Sequence, residues 1–315
     1  MLVRSSPTVM KRRGGVMDRK RIDKILRDGE KRRKRAAKAR RKRESEGRAL
    51  YRDDHGQPVM RPSFVVYLDE LGTSARLPGM TSDDLREDLD AYDALRWMLH
   101  DEKTEWDSES QRTLYFSDNL VIVAPCDPHL NDDDFGLFYK VFSAACYQLN
   151  MSIRGRYLRG GIAVGDAYAD HSFVTGPAHL QAVVMEENEA KNGRVLLDDK
   201  CVQLARAEVA NGGYASSGDS AYATFLLVDA DDRVFVNYLP AANEDEWARP
   251  GVTDAGLTLD RHRVVDALAA NAGSPAVHAK YEWTAADHNY ICVEFYDRGD
   301  LVIPNVPALP FERFA

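Results

Sequence analysis

Cysteine is scarce in this chain. Four residues (Cys126, Cys146, Cys201 and Cys292) lie far apart in 315 positions, with no C-x-x-C pair. That argues against a zinc site and against a disulfide framework, and it suits a reducing compartment. Long apolar runs are missing as well. None approaches the roughly 20 residues that cross a bilayer, and no apolar leader of the secretory kind stands at the N-terminus. The eight histidines show no H-x-x-x-H spacing, so they mark no ligand set. Internal repeats are absent. The expectation from these absences is a soluble, cytoplasmic protein that does not enter a membrane.

What is present is an uneven charge. Residues 1–50 hold 20 Lys and Arg against 6 Asp and Glu, a balance of +14. The remainder holds 22 against 44, or −22, so the net charge of −8 conceals a basic arm on an acidic body. The arm has almost no large apolar residue after Leu26 and no face to bury, which predicts disorder or a solvated helix over residues 1–58. Its phosphate-contacting capacity suits nucleic acid or an acidic partner. A solubilising tail, or a start codon placed too early with Met10 or Met17 as the true first residue, reads equally from the same composition.

Ordered structure is expected from about Arg61. Residues 64–68 are continuously apolar, as in a strand covered on both faces. Ser82 is placed to cap a helix whose apolar positions are Leu85, Leu89, Tyr92, Leu95 and Leu99. Residues 113–116 and 120–123 read as a hairpin around Ser117, Asp118 and Asn119. Asp132, Asp133 and Asp134 open a helix with Phe135, Phe138, Phe142, Ala145, Cys146 and Leu149 as its stripe. A strand follows at 158–164 and a helix from Gly176-Pro177 to about Asn188. Further strands are expected at 195–197, 223–228 and 234–239, with a short helix at 199–209. The order β-α-β-β-α-β predicts an α+β, ferredoxin-like domain over 59–240. Residues 241–315 are expected to form a helical extension, with helices around 260–270 and after Pro275, and a Pro-rich tail.

Two of these elements deliver an aspartate each. The first strand ends at Asp69 and runs on through Glu70, Leu71, Gly72, Thr73 and Ser74; the hairpin carries Asp118. Carboxylates at two adjoining strand ends can hold Mg²⁺ or Mn²⁺ against a triphosphate. Backbone amides from Leu71 to Ser74 can cradle phosphate oxygens, since Gly72 permits close approach. Taken alone the same residues also serve as turn formers. Tyr115 and Phe173 are aromatic candidates for a base pocket, or ordinary packing residues.

The segment from Asp69 to Ser74 resembles the D-I-x-G-F-T motif of the class III nucleotidyl cyclases. Phe116-Ser117-Asp118 resembles their I-G-D hairpin, and the run from Arg159 to Gly165 their R-x-G-I-H-x-G strand. Residues 176–187 stand where that family has G-x-x-V-N-x-A-x-R-x-E. The resemblance covers roughly residues 61–200. It implies that Asp69, Asp118 and the Glu70 carbonyl bind two Mn²⁺ or Mg²⁺ ions, that Leu71, Gly72, Thr73 and Ser74 bind phosphate, and that the site forms in a head-to-tail homodimer.

The sequence departs from the family at three places. Leu114 stands where purine cyclases carry a base-reading Lys or Glu, Leu180 replaces the ribose-binding Asn, and Val184 the transition-state Arg. The Gly176-Pro177-Ala178 start and the Glu186-Glu187 end are similar to the pyrimidine cyclases of bacterial Pycsar antiphage defence. This implies a uridylate or cytidylate cyclase, UTP favoured, whose cyclic product acts on a separate effector protein. In that group a strand is entered through an arginine, which nominates Arg194 as the catalytic cation; a strand-entry arginine without that role reads equally here. Arg159 reads as a support for the sheet beside the site. A purine cyclase and an inactive cyclase-like binding domain are the alternatives.

Overall fold

The computed structural model describes residues 50–99, 111–126, 136–212, 215–216, 219–243 and 252–315. The basic arm to residue 49, the three aspartates at 132–134 and Phe135 lie outside the described residues.

Strand β1 (Arg61–Glu70) is central, paired antiparallel with β3 (Asn119–Pro125) on one side and β4 (Leu158–Ala169) on the other. Its apolar run needs that position: Phe64, Val65, Val66 and Leu68 are all buried. A four-residue helix α1 (Thr73–Arg76) leads to α2 (Ser82–Leu99). The cap of α2 is Thr81 rather than Ser82. Asp84 N donates to Thr81 Oγ1 (3.2 Å) while Thr81 N donates to Asp84 Oδ2 (2.7 Å), a reciprocal capping box. Of the expected stripe, Leu85 and Leu89 are exposed while Asp88 and Ala91 are buried, and the side chains of Tyr92, Leu95 and Leu99 lie outside those described. The buried face is the one that meets α3 (Leu137–Ser152), where Asn150 Nδ2 donates to the Ala91 carbonyl (3.1 Å).

The hairpin forms as expected, from β2 (Arg112–Phe116) and β3 (Asn119–Pro125), with Ser117 left-handed at φ 57°. Helix α3 (Leu137–Ser152) follows, then β4 (Leu158–Ala169), β5 (Val174–Thr175) and α4 (Pro177–Asn188). Helix α4 lies close on β4 at Gly161, where a Cβ would stand 2.7 Å from Met185 Cε and 2.8 Å from the Ala182 carbonyl oxygen. Strand β6 (Val195–Leu197) runs parallel to β4. Asp198 caps α5 (Asp199–Ala210) by accepting from Cys201 N at 2.7 Å. A two-residue ribbon, β7 (Ala215–Ser216) and β8 (Asp219–Ser220), precedes α6 (Ala221–Phe225). A strand is expected at 223–228, but Ser220 accepts from Tyr222 N and starts a helix, so β9 spans only Leu226–Val228. Strand β10 (Val234–Val236), α7 (Val252–Ala270), α8 (Pro275–Glu294) and β11 (Glu312–Arg313) complete the elements.

The main sheet has nine strands in the order β11-β9-β10-β6-β4-β1-β3-β2, with β5 pairing β4. The architecture is α+β. Two expected boundaries move. Leu50 and Tyr51, assigned by composition to the arm, are buried in the main core, and the Tyr51 hydroxyl lies 2.9 Å from Ser63 Oγ. The C-terminal residues share that same core through Trp283, Ile291, Cys292, Phe311 and Phe314, so they are part of one folded unit rather than an appendage. The tail supplies β11, which pairs with β9, and Phe314 N donates to the Leu226 carbonyl (3.4 Å). Among the described residues no helix is long and apolar enough to cross a membrane, and the four cysteines are free.

Candidate active site

Alternation along β1 sends Tyr67 and Asp69 to one face and Leu68 and Glu70 to the other. The Tyr67 ring lies 6.0 Å from that of His179, which marks its face as the α4 side. Asp69 stands opposite Asn119 of β3 and opposite Arg159 of β4. Asp118 is therefore one residue from Asp69's cross-strand partner, and its carbonyl accepts from Glu70 N (3.3 Å). The two aspartates lie at the same end of the sheet, on neighbouring strands.

Four further side chains join them. Arg159 donates to Asp69 Oδ2 through Nε (3.2 Å) and Nη2 (3.1 Å), and Nη2 lies 2.6 Å from Glu186 Oε1 on α4. Tyr67 donates to Asn119 Oδ1, and Asn119 Nδ2 donates to Asp118 Oδ1 (3.2 Å). Burial raises the Asp69 carboxyl, Arg159 opposes that, and the Asp118 charge raises it further. Burial and then Asp69 push Glu186 to about 7 against the pull of Arg159. Burial, followed by the charges of Glu186, Asp69, Asp118 and Glu187, lifts the Tyr67 hydroxyl to about 12. These shifts report burial first and crowded negative charge second. Arg159 is the cation now offsetting that charge, and hard oxygen donors in such surroundings suit Mg²⁺ or Mn²⁺. Among the described residues no group of three or more His, Cys, Asp or Glu is arranged as a metal cluster, so the fit rests on two carboxylates plus backbone oxygen.

Glu70 plays a different part from its neighbour. Its side chain is buried on the opposite face, paired with Arg76 (3.0 Å) and Arg156 (3.6 Å), and both arginines also bind Asp88 of α2. Its carbonyl accepts from Thr73 Oγ1 at 2.9 Å, so Thr73, itself buried, spends its hydroxyl on the turn. Leu71 N donates to the Tyr157 carbonyl (2.8 Å) and is taken. Gly72 and Ser74 are exposed, and Gly72 has φ 88° with no atom within 4 Å of where a Cβ would stand. Of the four phosphate candidates, these two hold the open approach.

A cleft of about 660 Å³ lies at this end of the sheet, lined among others by Glu70, Arg76, Asp88, Tyr115, Asp118 and His171 but not by Asp69, Arg159 or Glu186. Tyr115 is thus at a cleft wall, its hydroxyl 3.0 Å from that of Tyr147. Phe173 is 57% exposed on the β4–β5 turn and does not line the cleft, although His171 and Ser172 do.

Arg194 is not with the aspartates. It is 5% exposed and bound to Asp229, to Asp231 (2.6 Å) and to the Glu189 carbonyl (3.3 Å). Asp229 also accepts from Trp283 Nε1 (2.9 Å). A guanidinium held by two carboxylates in a buried pocket is a structural tie. From sequence alone Arg159 has a supporting part and Glu186 none; only the β1–β4 register sets them against Asp69. No protein-family model matches the chain, and no curated protein matches it either.

Proposed function

We propose that this protein is a metal-dependent nucleotide cyclase that converts a pyrimidine nucleoside triphosphate, UTP ahead of CTP, to its 3′,5′-cyclic monophosphate and pyrophosphate. The observation that carries this reading is the convergence of Asp69 and Asp118 beside Arg159 at one sheet end, next to the open Gly72 turn. The order β1-α2-β2-β3-α3-β4, with strands laid out β4-β1-β3-β2, supports a ferredoxin-like core of the kind on which the resembling family is built.

Asp69 and Asp118, with the Glu70 carbonyl, would hold the divalent cations. When bound, the cations neutralise phosphate oxygens and favour ionisation of the attacking ribose hydroxyl. Arg159 takes the part of the nearby cation in place of Arg194, because its guanidinium already stands at the acidic centre. The Gly72 turn admits phosphate oxygens close to backbone. Leu114, which register places on the Asp69 face, offers no polar edge to a purine; Tyr115 lies on the opposite face, its hydroxyl against Tyr147 of α3, and is not the base reader at this centre. A second copy, packed head to tail, would complete the site over the exposed Leu180 and Phe116. The cyclic product would then act on a separate effector.

The sequestered Arg194 favours a second reading, an inactive domain that binds nucleotide or a partner. One assay separates the two. Purified full-length protein is incubated with each of the four nucleoside triphosphates and Mn²⁺, and products are identified by mass. Cyclic UMP or cyclic CMP is the expected product. Cyclic AMP or GMP overturns the pyrimidine assignment, and no product from a folded dimer overturns the enzyme.

A further inference from the structure

We infer that α7 and α8 are the floor on which the Gly72 turn rests, and that Leu71 is the positioning residue that ties the turn to them. The role given to the turn follows from the cyclase reading above; the mechanical connection does not depend on it.

A second hydrophobic cluster, separate from the main core, is built from Tyr157, Val264 of α7, Ala285 of α8 and Ile303 of the tail. Leu71 packs against it together with Leu268 and Tyr281. Leu71 lies two residues after Asp69 and directly before Gly72, and its amide is fixed to the Tyr157 carbonyl (2.8 Å). The Tyr157 ring in turn meets Tyr281 of α8 edge to face at 5.5 Å. Gly72 touches nothing through its own Cβ direction, so the turn is located by its two flanks. One is Leu71. The other is Thr73, hydrogen-bonded back to Glu70.

The floor itself is braced as one block. His288 of α8 binds Asp260 of α7 at 2.8 Å in a site closed to solvent. Asn289 of α8 donates to the Ile303 carbonyl (3.0 Å) and accepts from Ile303 N (2.7 Å). Arg263 of α7 donates to the Ile153 carbonyl at the end of α3 (3.3 Å). Close-packed interiors transmit displacement rather than absorb it. A shift of α8 therefore reaches the residue next to Gly72 through Leu71's packing partners.

The test uses the full chain. Hydrogen–deuterium exchange is followed without nucleotide in wild type, Leu71→Ala, Val264→Ala and the surface control Val265→Ala. Faster exchange confined to residues 70–76, with 61–68 unchanged, is expected for the first two and not for the control. With Mn²⁺ and whichever triphosphate the wild type turns over, KM should rise about tenfold while kcat stays within about twofold, the pattern of a displaced binding segment. Unchanged exchange at 70–76 in the folded variants, or acceleration spread through the whole sheet, overturns the inference. Should Leu71→Ala and Val264→Ala fail to fold, Ile303→Val applies the same readout with a smaller change. If the wild type forms no cyclic nucleotide, the cyclase reading falls, and the exchange experiment still decides this one.

Discussion

Arg159 and Asp69 face each other across the β1–β4 ladder, with the guanidinium 3.1 Å from the carboxylate. The pair sets the charge of the candidate site, because the same guanidinium also holds Glu186.

Replacing either acid of the proposed cation site should stop turnover without unfolding the chain. Asp69→Asn and Asp118→Asn are each expected to raise the cyclisation barrier by about 4 kcal/mol, roughly a thousandfold in rate. Circular dichroism should be unchanged, since Asp118 sits at a hairpin tip and Arg159 keeps Glu186 when Asp69 is neutral. Full activity in either variant would end the metal assignment.

Arg159→Met should lose at least about a hundredfold in rate. Arg159→Lys should lose less, yet still fall short of wild type, because a point charge cannot reproduce the two contacts made to Asp69 together with that to Glu186. Initial rates at saturating Mn²⁺ check this. Equal rates for wild type and Arg159→Met would show that the guanidinium does not act in the reaction.

Arg194→Ala should behave as a stability variant. Asp229 would be left buried with only Trp283 and its own turn to hold it, at a cost of about 3–5 kcal/mol. Urea unfolding measures the loss, and the rate per folded molecule should remain near that of wild type. A folded Arg194→Ala protein with no activity would return Arg194 to the catalytic role that the sequence suggests.

The α7–α8 junction should make stability depend on pH. Burial alone would lower the His288 imidazolium, but its bonds to Asp260 and Cys292 carry it up to about 10. A raised folded value means that the native state holds a proton which the unfolded chain releases near 6.5. The stabilisation is therefore complete below about 6.5 and is lost as pH climbs toward 10. Denaturation midpoints between about pH 6 and 10 should fall in wild type and fall less in His288→Gln.

Gly161→Ala should push α4 from β4, because the new methyl would meet Met185 and the Ala182 carbonyl oxygen, at about 1–3 kcal/mol. Thermal melts read this directly, and an unchanged melting temperature would mean that the helix has room to move.

Elements with strong local patterns were legible in the sequence: the unbroken apolar run of β1, the paired runs of the hairpin, and the spaced positions of α8. So was the placing of Asp69 and Asp118 at one end of the sheet, which needs only that β1 and the hairpin be neighbours. What was hidden depends on partners distant in the chain. Arg194 looks free until Asp229 and Asp231, 35 and 37 residues later, close on it. Arg159 and Asp69 are 90 residues apart, and only the register of two strands reveals them as a pair. Leu85 and Leu89 follow helical spacing yet face solvent, because periodicity shows that a face exists and not which element covers it. Tyr51 was lost in a basic composition that averages over it.

The pairing of β11 with β9 carries a consequence for how the polypeptide is made. Leu226, Leu227 and Val228 must wait for residues 312–314 before that margin of the sheet is covered, a contact between segments far apart in the chain. Closures of such long separation come late in folding. A ribosome-bound chain, or one ended a few codons early, would leave an open strand of aliphatic side chains available to its neighbours. Truncation there should therefore show itself as aggregation during expression, before any loss of chemistry can be measured.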